Sequence, residues 1–500
     1  MSEAVREIKS VLVANRGEIA ARILRSVQGR GLRGLVVFHA VDLGAPAIAL
    51  ADEALEIHGV TPVTAYLDGA QIIARALEAG VDAIHPGYGF LSENAGFARA
   101  VAAAGMVFIG PTPDAIELMG DKVTARNFVA ARGFPVAPSA IEDDDPASFT
   151  ERARAVGAPL LIKPAAGGGG KGMRIVRNLD VLAEEIERAR SEGKRYFGDG
   201  RLYVERYIES PRHIEVQVLG DAHGNVVHVW ERECSLQRRF QKIVEESPSP
   251  ALSAAERLEI CEVAAGIARA AKYQGAGTVE FIYGTRADGS GEFYFLEMNT
   301  RLQVEHPVTE EITGIDLVAE QLRIAAGEEL GYGQSEIVAR GHAIELRIYA
   351  EDASRDFSPT TGKILKLLPP QGERVRVDSG ICQGQSVTTA FDPMLAKLIV
   401  WGADRAQALV RADAALAQFV VLGCATNIGF LRALIGDADV LRGHMHTGLI
   451  GEKPWLTADI ALDEAVITRA LAAASLSLAP VLEAARAVPA VHAAMGGWRN

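Results

Sequence analysis

Five hundred residues exceed what one hydrophobic core organises, and with 49% apolar residues the chain has material for several cores, so a globular protein of two to four subdomains is expected. Its 51 Lys and Arg against 64 Asp and Glu disfavour nonspecific binding to nucleic acid or to an anionic membrane. Any phosphate site must then be a focused, local one.

Residues 1–10 alternate charged and small side chains without the apolar run of a signal peptide, and no later stretch is long enough to span a bilayer, so a cytoplasmic, non-membrane protein is expected. Residues 11–15 read as a buried strand, 18–29 as a helix and 34–38 as the next strand, with further strands at 83–85 and 107–109. This is the βαβ pattern of a parallel sheet. Pro111 and Pro113 end that first unit, 1–113, and residues 114–132 read as a connecting helix within a link, 114–136. Then the order changes. Strands at 160–163 and 173–176 flank a glycine run and predict a hairpin with a pliable tip. From residue 213 the alternating stretches 213–219, 277–283, 292–299 and 342–350 predict a mainly antiparallel sheet with helices on one side. After Ile450 an alanine-rich helical stretch, 462–495, is broken by Pro480 and Pro489 and makes a poor core on its own. The expected fold class is therefore α/β and α+β together. Cys234, Cys261, Cys382 and Cys424 form no C-x-x-C pair and read as reduced and mostly buried, not as a zinc site or disulfide framework.

The glycine run, Gly167, Gly168, Gly169 and Gly170, precedes Lys171 and Gly172. It is not a P-loop, since that pattern needs glycine at 165 and serine or threonine at 172, where Ala165 and Gly172 stand. The turn Asn15-Arg16-Gly17-Glu18 likewise lacks the glycine spacing of a dinucleotide fingerprint. A structural hairpin is usually closed by two residues, and a longer glycine run carries a backbone-entropy cost that a turn does not require. Close approach of bare N–H groups to a triphosphate accounts for it, with Lys163 and Lys122 as point charges for the phosphates.

Glu280, Glu297 and Asn299 place oxygen ligands inside otherwise apolar strands, with 297 and 299 on one face by the period of two. Carboxylates amid Phe, Tyr and Leu are costly unless paired or metal-bound, and hard oxygens suit Mg²⁺ held jointly by protein and nucleotide phosphates. The following string sets Arg301, Gln303 and Glu305 at alternate positions, so an extended chain aims all three the same way. An arginine fork and an amide hold a small planar oxyanion, and Glu305 beside them accepts a proton. Cys234-Ser-Leu-Gln237-Arg238-Arg239-Phe240-Gln241-Lys242 adds cations and amides, and Glu345 with Arg347 repeats the one-face arrangement.

Together these strings resemble one family, the biotin carboxylases of the ATP-grasp superfamily. The likeness runs from about Ile8 to about Gly448. It includes Ala14-Asn-Arg-Gly-Glu-Ile19, His85-Pro-Gly-Tyr-Gly-Phe-Leu-Ser-Glu-Asn94, Met119-Gly-Asp-Lys122, Gly167-Gly-Gly-Gly-Lys-Gly-Met173, Cys234-Ser-Leu-Gln-Arg-Arg239, Glu297-Met-Asn-Thr-Arg301 and Glu305-His-Pro307. The resemblance implies three domains: a Rossmann-like first domain, a mobile ATP-grasp lid over 137–208, and an antiparallel-sheet C-terminal domain over 209–450, followed by the helical extension 451–500. It implies nucleotide contacts from Lys122, Lys163, Gly167 to Gly170, Glu205, Ile208, His213 and Gln237, and metal ligation of Mg²⁺ or Mn²⁺ by Glu280, Glu297 and Asn299. Bicarbonate then sits against Lys242, Arg301, Gln303, Val304 and Glu305, and biotin against Arg347 with Tyr88 and Asp392 nearby. Glu305, Arg347, Lys242 and Arg301 are the implied catalytic residues.

The implied reaction is ATP-dependent carboxylation of biotin through carboxyphosphate, the first half-reaction of an acyl-CoA carboxylase. A rival within the superfamily passes an acyl phosphate to an amine instead. Phe240 stands where many relatives carry a polar residue near the ribose, and Gly29 and Glu373 replace an acid and an aromatic of a dimer contact in bacterial acetyl-CoA-type subunits. The sequence lacks the biotinylation signature Ala-Met-Lys-Met. Biotin is thus expected on a separate carrier protein or a missing C-terminal domain, with a carboxyltransferase as further partner in an oligomeric assembly.

Overall fold

The computed structural model describes residues 6–457 apart from 143–144, 165–172, 198–199 and 287, together with 464–465, 468–473 and 475–476. Five parallel strands open it in the order Glu53–Glu56, Arg33–Phe38, Ser10–Val13, Ala83–His85, Val107–Phe108. Ser10–Val13 is buried throughout, as a central parallel strand covered on both faces must be. Helix Gly17–Gly29 packs Ile19, Ala20, Ile23, Leu24 and Val27 inward, a spacing of three and four that keeps one apolar stripe facing the core. Gly380 comes so close to the start of this helix that a β-carbon there would lie 2.7 Å from the Glu18 nitrogen, so only glycine admits the approach.

Residues 113–130 form two helices where the sequence suggested one connecting helix. Pro113–Gly120 and Lys122–Ala130 are separated by Asp121, which is extended and whose carboxylate caps the second helix by accepting the Thr124 N–H. The cap outcompetes helix continuation, the ordinary preference of aspartate at that position.

A four-stranded sheet follows, in the order Ser139–Ile141, Leu202–Arg206, Leu160–Pro164, Arg174–Val176, with helices Phe149–Val156 and Leu182–Phe197 supplying the rest of its core. The expected hairpin is present, Leu160 pairing with Val176. Its glycine tip, Gly167 to Gly170, lies outside the described residues.

Eight antiparallel strands make the largest layer: Gly291–Asn299, Gly275–Thr285, Arg212–Gly220, Val226–Arg238, Gln241–Ser247, His342–Tyr349, Met394–Gly402 and Val375–Ser379. Four of these match the alternating stretches read from sequence. Of the others, Val226–Arg238 and Gln241–Ser247 contain runs of polar residues that hide the period of two, Met394–Gly402 is apolar almost throughout, and Val375–Ser379 is short. Helix Ala254–Ala270, started by a reciprocal Ser253 and Glu256 capping box, packs on this sheet. Cys234 and Cys261 are buried as expected, whereas Cys382 and Cys424 are half-buried; all four are free thiols. Residues from Thr457 onward form a second unit, whose described residues are helical. Most of the alanine-rich stretch lies outside the described residues.

Candidate active site

Four neighbouring strands line up a row of charges, with Glu297 opposite Glu280, Glu280 opposite Glu215, and Glu215 opposite Arg232. Like charges directly across a ladder repel, so this row needs cations from elsewhere. Arg232 is fully buried and gives its Nε to Glu215 at 2.5 Å, with further bonds to Gln217, Thr278 and Thr309. Lys242 supplies the second cation. Its Nζ donates to Glu215 Oε2 at 2.5 Å, Glu305 Oε1 at 2.6 Å and Glu280 Oε1 at 2.9 Å.

A bulge explains how Lys242 reaches them. Gln237 pairs with Lys242 but Leu236 pairs with Val244, so one extra residue is inserted in the strand Gln241–Ser247. Ile243 and Val244 consequently both enter the core, and Lys242 and Glu245 both face the site, which strict alternation forbids. A second bulge lies between the pairs Glu280–Glu297 and Phe281–Phe295. It turns Leu296 outward and leaves Glu297 and Asn299 on the face of Glu280, where Asn299 Nδ2 donates to Glu280 Oε1 at 2.9 Å.

Burial alone would lower the Lys242 ammonium, but the carboxylates of Glu215, Glu280 and Glu305 push it well above its ordinary value. Burial likewise works against the charged forms of Glu280 and Glu305. Lys242 and His213 nonetheless hold Glu280 well below the carboxylate range. For Glu305, burial and Glu215 are outweighed by Lys242, Arg347 and Arg232, so it stays ionised. Arg347 Nη2 lies 3.1 Å from Glu305 Oε2, and its Nε donates to Glu245 at 2.6 Å.

The stretch from Thr300 to Glu305 is a turn leading into helix His306–Thr313, not the extended chain that the alternation suggested. Its side chains converge all the same. Arg301 Nη1 donates to Gln303 Oε1 at 3.1 Å and Arg301 Nη2 to Asn299 Oδ1 at 3.1 Å, while Gln303 Nε2 reaches Glu280 at 3.4 Å. Glu93, in a loop after strand Ala83–His85, anchors the turn by accepting from Arg301 Nε and the Thr300 N–H. His213 lies 3.0 Å from Glu280, and Gln237 Nε2 lies 3.0 Å from His213 Nδ1. Burial opposes a charge on His213, yet Glu280 pushes its pKa up to about 9.

The remaining expected nucleotide residues lie further out. Lys122 pairs with Glu297 at 2.6 Å, and Lys163 pairs with Glu205 inside the four-stranded sheet. Ile208 is buried, and its side chain fills the space beside Gly284. On the other side of Arg347 a cavity of about 370 Å³ is lined by Tyr88, Phe90, Val304, Tyr349, Phe391 and Asp392, among others. Asn15 shapes its wall by donating to the carbonyls of Pro86 and Tyr88. The Tyr88 hydroxyl donates to Glu18, and Asp392 accepts the Met394 N–H at 2.9 Å.

Three family models match in order: "Biotin carboxylase, N-terminal domain" over residues 7–116, "Carbamoyl-phosphate synthase L chain, ATP binding domain" over 121–332, and "Biotin carboxylase C-terminal domain" over 345–452. The biotin carboxylase of Nostoc sp. is 47% identical over 445 residues, covering 88% of this chain and 98% of that protein. This chain belongs to the biotin carboxylase family. The biotin-dependent acyl-coenzyme A carboxylase alpha3 subunit of Mycobacterium leprae is 50% identical over 440 residues, 87% of this chain and 72% of that one. Among solved structures, the biotin carboxylase domain dimer of Hydrogenobacter thermophilus 2-oxoglutarate carboxylase, in complex with MgADP, ADP and bicarbonate, superposes with a TM-score of 0.79 at 42% identity, covering 91% of this chain and all of that one.

Within this biotin carboxylase framework the residues sequence reasoning passed over are mostly counter-charges: Glu215, Arg232, Glu245, Glu93 and Lys397. Glu215 carried a weaker signal, a carboxylate in phase with Gln217 on the polar side of the alternating stretch Ile214 to Val218. Glu245 carried none, because its direction depends on the bulge. Phe240 sits at the tip of the two-residue turn before Gln241–Ser247, 97% exposed, with Arg239 at φ 51° and Phe240 at φ 65°.

Proposed function

We propose that this chain carboxylates biotin with ATP and bicarbonate, using Glu305 as base, Lys242, Arg301 and Gln303 as the bicarbonate cradle, and Arg347 as the bridge to biotin. One observation carries the reading: Glu305 is held at once by Lys242, which also binds Glu280 on the metal side, and by Arg347, which lines the adjoining cavity. Base, metal face and acceptor cavity therefore share one connected charge cluster.

Glu280, Glu297 and Asn299 fit a magnesium ion, being hard oxygen donors on adjacent strands, with Glu280 met by the largely buried Lys242 and His213 and by the Asn299 amide, and Glu297 met by the exposed Lys122. A bound Mg²⁺ would neutralise charge on the nucleotide phosphates. The protein's own part is positioning and charge stabilisation. Lys122, Lys163, Glu205, Ile208, His213 and Gln237 hold the nucleotide, beneath a lid formed by 137–208 that includes the glycines 167–170. Glu305 removes the bicarbonate proton, and the resulting oxygen attacks the γ-phosphorus to give carboxyphosphate and ADP. Carboxyphosphate breaks into CO₂ and phosphate, and the phosphate takes the N1′ proton of biotin, whose nitrogen then bonds to CO₂. Arg347 stabilises the negative charge on the ureido oxygen, with Tyr88 and Asp392 lining the pocket.

The biotin arrives on a carrier, and a carboxyltransferase passes the carboxyl group onward; an acyl-CoA acceptor is supported by the Mycobacterium leprae relative, which is a biotin-dependent acyl-coenzyme A carboxylase subunit. The enzyme works within an oligomeric assembly in the cytoplasm. Among the described residues no helix is long and apolar enough to cross a membrane. Bicarbonate-dependent ATP hydrolysis stimulated by free biotin tests the reading; hydrolysis stimulated by an amine instead would overturn it. Arg347→Ala is expected to keep nucleotide affinity while lowering biotin carboxylation by about 10²- to 10³-fold, measured by calorimetry and by carboxybiotin formation.

A further inference from the structure

Lys397 takes no part in the chemistry above, yet its side chain is wholly buried behind it. It lies on Met394–Gly402, directly across from Arg347 on one side and Asp378 on the other, and so shares the face of the sheet that carries the site. Its neighbours along the strand are Leu395, Ala396, Leu398 and Ile399, a sequence in which an aliphatic residue would pack without the cost of desolvating an ammonium. The position of that charge is therefore informative.

The Lys397 Nζ donates to the Val304 carbonyl at 2.6 Å and lies 3.6 Å from Glu18 Oε2 and 4.0 Å from Glu345 Oε2. Among the described residues neither Glu18 Oε2 nor either oxygen of Glu345 has a hydrogen-bond partner, so Lys397 is a counter-charge within reach of both carboxylates. Each contact leads to one half of the reaction. The Val304 carbonyl belongs to the peptide that leads into Glu305, and fixing it fixes the turn that aims Glu305 at Lys242. Glu18 holds the Tyr88 hydroxyl through its other oxygen, and Tyr88 lines the cavity beside Arg347.

We infer that Lys397 is a positioning residue that ties the bicarbonate turn and the biotin pocket to one buried ammonium. The inference rests on the biotin carboxylase reading and adds a residue that acts through others and touches no substrate. Removing the charge frees the Val304 carbonyl and leaves Glu18 Oε2 buried without its nearby ammonium, which loosens both substrate sites and leaves the nucleotide side, on the far strands of the sheet, as it was.

The test compares the wild type with Lys397→Met, Lys397→Arg and Glu18→Leu in the full chain, by steady-state ATP hydrolysis with bicarbonate and free biotin varied in turn. Lys397→Met is expected to raise KM for bicarbonate and for biotin by about tenfold or more, the loss of a charge-assisted hydrogen bond, with KM for ATP changed less than about twofold. Lys397→Arg recovers most of both. Glu18→Leu raises KM for biotin alone. A folded Lys397→Met enzyme with both constants unchanged, or with KM for ATP rising in step, overturns the inference. Should Lys397→Met fail to fold, Glu18→Leu decides: an unaltered biotin KM overturns the coupling through Tyr88. Wild-type enzyme without bicarbonate-dependent hydrolysis would instead sink the functional reading, and the inference with it.

Discussion

Lys242 and Lys163 are both lysines on antiparallel strands facing a glutamate, but Lys242 is enclosed by three carboxylates and 12% exposed, while Lys163 meets Glu205 and is 32% exposed. Lys122, further out, is 78% exposed. The half around Lys242, which holds the proposed base Glu305, is thus built in advance from charges that the fold has already desolvated. On the expected nucleotide side His213 is largely buried, but Lys163 is partly and Lys122 largely in water, where an ion pair contributes little to stability and is free to exchange its glutamate for a phosphate. Catalytic groups need fixed geometry, whereas phosphate-binding groups need to be available.

The sharpest way to break this contrast is at Glu305. Glu305→Gln retains the shape and the contacts to Lys242 and Arg347 but cannot accept a proton. Bicarbonate-dependent ATP hydrolysis is expected to fall by about 10²- to 10⁴-fold, read as ADP release, with nucleotide affinity preserved. Retained turnover would remove the base assignment.

Next comes stability. Lys242→Met leaves Glu215, Glu280 and Glu305 facing one another in a buried space, and losing one partner of such a cluster costs about 3–5 kcal/mol. A marked fall in the urea midpoint is expected. Lys163→Met, by contrast, is expected to cost under about 1 kcal/mol. Equal costs at the two lysines would erase the distinction between the halves.

The same contrast governs what was readable in the sequence. Positions whose chemistry is local were legible: the apolar strand pattern around Glu280, the carboxylate and amide at 297 and 299, and the cationic and acidic run from Arg301 to Glu305. Their convergence was legible too, although the reason offered for it, an extended chain, was replaced by a turn pinned through Glu93. Most counter-charge pairings were not legible, since Arg232 and Glu245 act across strands far apart in sequence, and although Lys397 stands out in an aliphatic run its partners lie on other elements. An inserted residue decides which way Glu245 faces, as another does for Glu297 and Asn299, and no period of two announces a bulge. The split at Asp121 was missed for a smaller reason, a side-chain cap that competes with the helix it begins. The broader likeness to biotin carboxylases came from long motif strings, which carry the turn and bulge geometry implicitly.

Glu246 offers a control inside the same sheet but away from the chemistry. It is one residue beyond Glu245 and turns to the opposite side, accepting from Arg405 Nε at 2.6 Å with His342 Nε2 also at 2.6 Å. Burial raises its pKa, but the hydrogen bonds to His342 and Arg405 bring it down to about 2 from 4.5. A pKa depressed on folding contributes stability that is present above the unfolded value and lost as pH falls from about 4.5 through about 2, here on the order of 3 kcal/mol. Glu246→Gln is therefore expected to lower the urea midpoint at pH 7, with the gap to wild type closing as pH drops below 4.5, while KM for bicarbonate stays put. A gap that persists at low pH would mean the loss is one of packing and not of charge.

The smallest expected effect is the most telling about the nucleotide half. Lys122 begins helix Lys122–Ala130, directly after its cap Asp121, where the positive end of the helix dipole makes a cation unfavourable. Its partner Glu297 is 31% exposed, so the ion pair between them is worth at most about 1 kcal/mol. Lys122→Ala should then leave the unfolding free energy from urea titration within about 0.5 kcal/mol of wild type, and the gain in helix propensity and relief of the dipole act in the same direction. KM for ATP should rise several-fold over the same substitution. That outcome would support the proposed role of Lys122, a residue unfavourable at its helix end, as a phosphate contact; a loss of stability with an unchanged ATP KM would show the reverse.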